Sequence, residues 1–424
     1  MTQPGLWPSP WPAEDGGPAR QQIPGLHGHP GLCTDGHPLQ ATSRLALAST
    51  MVVLREPGEV FLLCHSGGED AVSWVEQIHP ETLDTLRRSP DLPGGPAWPG
   101  GLAAHADGAL HVVFGNHVHR LSSGLEVEAR ASLPRARPYN SFIVLPDGHL
   151  VTKDFGGRRP GGATPIGPAD TELLVLRPDT LEVVATAVVP EPSIARLSAQ
   201  DGEVYVVGTT RVWRLRWAGG GLLLDTDFRP QYVTQPGQTY GWDPVLAGGA
   251  AWFLDNGEGS ERYAGTFRGM GTHVAPLHLV RVDLATGAVD LHEVCGLTGG
   301  LIANPPAIDI ASGVAIAYDS GNGIVTGFQL DAQAKVQGRA WQRHLNHGAH
   351  PLLLPQSGEV LLLDHQPEAG GESAVVLDVR SGAELGRVAT GSPVQSVVFT
   401  APGWDRDAYV CSFTTVSRIH TSVS

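Results

Sequence analysis

An all-β fold made from one repeated unit is predicted by three observations. First, a hairpin phrase recurs along the chain: a short apolar run, a tight turn of the Asp-Gly kind, then a second apolar run. Ser141 to Thr152, around Pro146-Asp147-Gly148, shows its form. Second, the phrase returns every 40 to 60 residues or so, which is the rhythm of a β-propeller. Third, the last copy has room for only three strands before Ser424. A strand from ahead of the first copy would supply the fourth. These observations predict a single β-propeller of eight four-stranded blades, closed by an N-terminal strand. Seven blades is the alternative, if one copy is an inserted hairpin.

Residues 1–40 come first and differ from the rest. Trp7-Pro8-Ser9-Pro10-Trp11-Pro12 and Gly25-Leu26-His27-Gly28-His29-Pro30-Gly31 cannot form regular strands. This is an irregular Pro/Gly/His-rich arm, either loose or laid over one face of the ring. The propeller domain then occupies residues 41–424. Residues 44–48 are the candidate closing strand, and closure removes the unpaired edges of an open array. The inner hairpins follow at residues 51–63, 101–113, 141–152, 195–207, 244–254, 307–318, 352–363 and 396–411. Further strand pairs complete the blades, as at residues 173–185 around Pro178-Asp179 and at 279–291 around Thr286-Gly287. Alternating apolar residues bounded by Gly, Pro and Asp are the signature of strands and turns.

Bulk properties narrow the partners. The 424 residues could make two or three ordinary domains, but the repeat uses the whole length. The 54 Gly and 34 Pro suit a fold made of turns. A net charge of −15 argues against nucleic acid and against an anionic membrane. No apolar run is long enough to span a membrane, and no secretory signal is visible. Cys33, Cys64, Cys295 and Cys411 show no paired spacing, which suggests reduced thiols and a cytoplasmic location.

Binding sites of propellers gather where chains enter the first strand and leave the second, on one face of the ring. Residues entering the first strand include Tyr139, Asn140, Trp242, Asp243, His347 and His350. Those leaving the second include His65, Lys153, Asp154, Asp255, Asn256, Asp319, Asp364 and His365. Carboxylates and Asn carbonyls suit calcium, and histidines suit zinc or iron. An Asp beside a His suits proton transfer. The expected catalytic groups are His350, Asp364, His365, Lys153 and Asp154. Tyr139, Asn140, Trp242 and Asp243 are expected to bind ligand. His65, Asp255, Asn256 and Asp319 are expected to hold one divalent metal ion. His350 and the Asp364-His365 pair are expected to be neighbours at the channel mouth. His111, His117, His119 and His149 read as surface residues. Two long loops, residues 155–170 and 256–276, are expected to cover this face, with Gly269 and Gly271 as hinges.

The strand rhythm resembles the broad propeller class that includes gluconolactonase-type hydrolases, strictosidine-synthase-like proteins and quinoprotein-like repeat proteins. The resemblance to gluconolactonases implies an axial calcium, with Asn140, Asp255 and Asp319 in comparable zones. The repeated Trp-docking motif of quinoprotein dehydrogenases is absent. His65, His350 and His365 are similar in arrangement to the axial histidines of iron-dependent carotenoid oxygenases. The expectation is a small-molecule enzyme that performs hydrolysis, hydration, elimination or isomerisation. A non-catalytic propeller that binds a protein or ligand is the alternative.

Overall fold

The ring closes where Leu39–Leu45 pairs antiparallel with Thr415–Thr421, Leu39 opposite Thr421 and Leu45 opposite Thr415. The last blade therefore takes its outermost strand from the start of the chain and its other three from the end. The closing strand begins and ends a few residues earlier than the expected segment 44–48. Leu45 and Leu47 suggested that segment, yet they are 79% and 74% exposed. An outermost strand has a neighbour on one edge only and needs no apolar run, so hydrophobicity is a poor guide to its position.

The computed structural model describes residues 4–25, 28–33, 37–157 and 170–421. Most of the first long loop, residues 158–169, falls outside these. Among the described residues there are eight antiparallel sheets, seven of four strands and one of five. The sixth blade is representative, running outward through Ala307–Asp309, Val314–Asp319, Ile324–Leu330 and Val336–His344. The fifth strand of the first blade is short Leu92–Gly95, paired to Ala71–Ile78. Helix is limited, among the described residues, to three single turns of 3-10 type.

Burial follows the radius of the ring. Inner strands such as Leu352–Leu354 and second strands such as Ala250–Leu254 are buried throughout. Outer strands such as Val127–Ser132 are largely exposed. Inner strands have a neighbouring blade on both faces, so they read as unbroken apolar runs, which made the hairpins visible in the sequence. The same sandwiching buries His111 and His119, contrary to the surface position expected of them. Burial lowers both imidazoles to about 4, and His111 Nε2 meets Pro178 O in the next blade at 2.7 Å.

The arm lies across the ring. The N–H groups of Leu54, Ala104, Ala199, Leu246 and Leu353 donate to the carbonyls of Trp11, Pro12, Pro18, Ala19 and Gln22. These are innermost strands of five different blades. Their inner edges have no partner strand, and buried N–H groups need an acceptor. The arm supplies it and occludes the channel. Beyond Gly28, the Glu359 carboxylate accepts the N–H groups of Leu32 and Cys33. No helix of the described residues is long and apolar enough to cross a membrane.

Candidate functional site

Several residues entering the innermost strands gather around the arm, which brings three charges up among them. Glu14, Asp15 and Arg20 are the only charged side chains in residues 1–33. All three are buried. Asp15 Oδ1 lies 2.9 Å from His350 Nδ1, and Asp15 Oδ2 accepts Arg20 Nη1 at 2.8 Å. Arg20 Nη2 donates to Glu14 Oε2 at 2.6 Å and to Ser141 Oγ at 2.9 Å. Arg196 closes the circle, with Nη1 donating to Glu14 Oε2 at 2.9 Å and Nη2 to Pro99 O at 2.8 Å. Asp243 Oδ1 accepts the Arg196 backbone N–H at 2.6 Å, while its Oδ2 stands 3.8 Å from Arg196 Nε.

Charge pairing outweighs burial in this network. Burial by itself would raise the Asp15 carboxyl, but His350 and Arg20 hold it below the ordinary range. Burial would likewise lower Arg20, but Glu14, Asp15 and Asp243 keep it firmly protonated.

Above the floor opens a cavity of about 90 Å³. Its walls include Trp98, Trp242, Tyr263, Phe267, Phe399 and Phe413. Arg196, Asp243, Asn304 and His350 contribute the polar edge. The Trp98 ring stacks on Phe155 at 4.2 Å and runs nearly parallel to Trp242 at 6.4 Å. His350 stacks on Phe399 at 4.0 Å, which fixes the imidazole plane.

The second long loop roofs the cavity. It leaves the fifth blade at Leu254 and returns at His278, reaching across to later blades between. Phe267 N donates to Gln395 Oε1 at 2.6 Å, Gln395 N to Gly265 O at 2.8 Å, and Gly269 N to Gly321 O at 2.9 Å. Gly269 holds a positive φ of 74° with open space around it. Gly271 is not a hinge: a Cβ there would stand 1.8 Å from the Gly299 carbonyl, so its role is close packing.

Of the residues singled out by the sequence, Trp242, Asp243 and His350 line the cavity. Asn140 is close by, donating to Ile194 O at 3.0 Å. Tyr139 is turned away, its hydroxyl on Glu172 at 2.6 Å. Among the described residues, the carboxylates and histidines leaving second strands do not gather into one group. A second strand sits one spacing, about 4.8 Å, farther out. Its terminal carboxylate is instead taken by nearby backbone. Asp154 accepts Glu172 N, Asp255 accepts His278 N, Asp319 accepts Leu301 N and Asn322 N, and Asp364 accepts Asn346 N.

Other partners complete the separation. Asp364 pairs with Arg387 at 2.8 Å, and His365 Nε2 meets Pro393 O at 3.2 Å, so neither joins the His350 network. Both line a different, open cleft. Asp255 pairs with His278 at 2.8 Å, and Asn256 bonds Thr239 N and Ala275 O. His65 Nδ1 bonds Ser66 O at 2.7 Å. The four expected metal ligands thus stand in separate networks. One group of three potential ligands does exist among the described residues: Asp15, Asp243 and His350, whose donor atoms all lie within 4.8 Å of one another.

Lys153 is fully buried, with Nζ donating to Asp154 O at 3.1 Å and Ser193 O at 3.0 Å. Burial lowers its ammonium to about 7, although Asp154 and Asp243 pull the other way. The unfolded chain then holds a proton that the folded chain has lost, between pH 7 and the ordinary lysine range. Stability should therefore rise with pH across that window, by an amount on the order of a few kcal/mol, and level off above it. Lys153→Met is expected to flatten this rise. Urea unfolding of both proteins at pH 6.5 and pH 9.5 measures it, and parallel behaviour of the two would show that Lys153 does not titrate there.

No protein-family model and no curated protein matches this chain. Solved structures do match in fold. BamB from Moraxella catarrhalis is 11% identical with a TM-score of 0.56, covering 91% of this chain and 98% of its own. Quinohemoprotein alcohol dehydrogenase from Comamonas testosteroni is 10% identical with a TM-score of 0.61, covering 97% of this chain and 81% of its own. The Dos1 propeller is 10% identical with a TM-score of 0.57, covering 93% and 98%. At such identities the likeness establishes the β-propeller class and nothing about activity.

Proposed function

We propose that this protein is a small-molecule enzyme whose site is the roofed cavity at the channel mouth, with His350 as acid/base and Asp15 as its positioning partner. One observation carries the reading. A buried carboxylate holds one nitrogen of an imidazole that also lines an aromatic cavity. Asp15 accepts the Nδ1 proton, which selects the tautomer whose Nε2 lone pair can take a proton from a bound ligand. As Nε2 gains that proton, Asp15 stabilises the imidazolium. The pair serves the proton transfers of hydrolysis, hydration, elimination or isomerisation. The aromatic walls and the loop over them exclude water from the bound ligand.

The test begins with a library of small metabolites screened by thermal shift, since a ligand of the native state raises apparent stability. Hits are then assayed for turnover with the parent protein and with His350→Gln. Hits that displace one another and lose turnover in His350→Gln support the reading. A protein that binds no small molecule leaves the scaffold function, as binder of another protein, in its place.

A second reading has its own observation, the spacing of Asp15, Asp243 and His350. Two carboxylates and an imidazole suit zinc or iron better than calcium. Against it stand the guanidiniums of Arg20 and Arg196, already bonded to the acids of this group or beside them. A divalent ion would have to displace or repel them. Under the acid/base reading, elemental analysis of purified protein is expected to find no stoichiometric metal, and EDTA is expected to leave turnover unchanged. One bound zinc or iron per chain would decide for the metal.

A further inference from the structure

We propose that the ligand of this cavity carries an organic ammonium group, seated between the aromatic walls and Asp243. The inference rests on the cavity being the ligand site and adds the chemical class of what enters it. Aromatic faces present negative potential, and a cation enclosed by several of them is attracted without a specific hydrogen bond. Six aromatic side chains surround this cavity.

The polar atoms point to the same class. Apart from the Trp242 indole N–H, which has no partner among the described residues, the cations and donors at the cavity edge are largely bonded to protein. Arg196 spends Nη1 on Glu14 and Gly100 O, and Nη2 on Pro99 O. The Asn304 amide donates to Gly348 O and Val397 O. The Tyr263 hydroxyl donates to Gln395 O. An anion entering the cavity would find these donors occupied. Acceptors remain. Asp243 is buried, and among the described residues its Oδ2 receives no hydrogen bond, Arg196 Nε standing off at 3.8 Å. The Asn304 carbonyl oxygen is similarly left over. A carboxylate oxygen that accepts no hydrogen bond from the protein is open to a ligand cation.

Size and long-range charge agree. A single water needs about 10–15 Å³ by the same measure, so the 90 Å³ cavity has room for a head group of a few heavy atoms. The net charge of −15 draws cations toward the protein.

The experiment titrates the full chain with choline, and separately with the neutral alcohol in which carbon replaces the choline nitrogen. The two have the same shape and differ in charge. Calorimetry is expected to show choline binding tighter by about tenfold or more, the scale of a desolvated cation–aromatic contact. Asp243→Asn keeps the acceptor for the Arg196 N–H and should weaken choline by a similar factor. Phe413→Leu, at the partly exposed rim, should weaken it as well and serves if Asp243→Asn fails to fold. Equal binding of the two compounds, or unchanged choline affinity in both folded variants, overturns the ammonium inference and leaves the cavity as the site. Binding of neither compound overturns this inference; if the metabolite screen is also empty, the proposed function falls with it.

Discussion

Arg20→Met is expected to destabilise the protein by about 3–5 kcal/mol, because it leaves buried carboxylates without their cation. Arg20 joins Glu14, Asp15 and Ser141, and donates through Nε to Leu197 O. Methionine fills similar space but compensates none of this charge. Arg196 still reaches Glu14, and His350 still reaches Asp15, so the loss should stay within that range. The arm's hold on the channel should weaken with it. The checks are a lower urea midpoint and faster proteolysis between residues 4 and 25. A midpoint within experimental error of the parent would mean that the arm's acids are neutralised some other way.

Asp15→Asn and His350→Gln are each expected to lower turnover by about 10²- to 10⁴-fold on any substrate found by the screen, the usual worth of a general acid/base. The two substitutions should not multiply. Once His350 is gone, Asp15 has no imidazole to orient, so the double variant should be no slower than His350→Gln. Binding affinity should change far less than turnover, since the walls and Asp243 are untouched. Effects that multiply in the double variant would mean that Asp15 acts on the substrate independently of His350. The Arg20–Glu14 ion pair survives in both variants, but Asp15→Asn also breaks the buried Arg20–Asp15 pair, so its urea midpoint is measured beside its turnover.

The hairpins were legible because their physics is local. Residues 352–363 read as two apolar runs around a turn, and the innermost strand Leu352–Leu354 and most of the second strand Glu359–Gln366 lie there. The closing strand was harder, since Leu39–Leu45 is outermost and half-exposed, and its residues carry no apolar run. Within the site, the residues entering first strands were the informative ones, as Trp242, Asp243 and His350 show. The exits of second strands misled for a definite reason. Asp154, Asp255, Asp319 and Asp364 look alike in four of the blades because they repeat one task, accepting nearby backbone N–H groups. Repetition suggested convergence where it reflected blade construction. The one sequence signal for Asp15 is that Glu14, Asp15 and Arg20 are the only charged side chains in residues 1–33.

Sequence alone determined the all-β class, the repeated four-stranded unit and the need for a strand from the start of the chain, and it favoured eight blades over seven. Each of these follows from side-chain period and turn chemistry within a few dozen residues. Tertiary structure alone decided that the arm crosses the channel, that Asp15 meets His350 across 335 positions, and that Arg196 and Asp243 share a floor with them. Those contacts join inner strands of different blades to a segment with no regular structure of its own. No local pattern encodes them; the arm is placed by unpaired inner edges and by buried charges that must find one another.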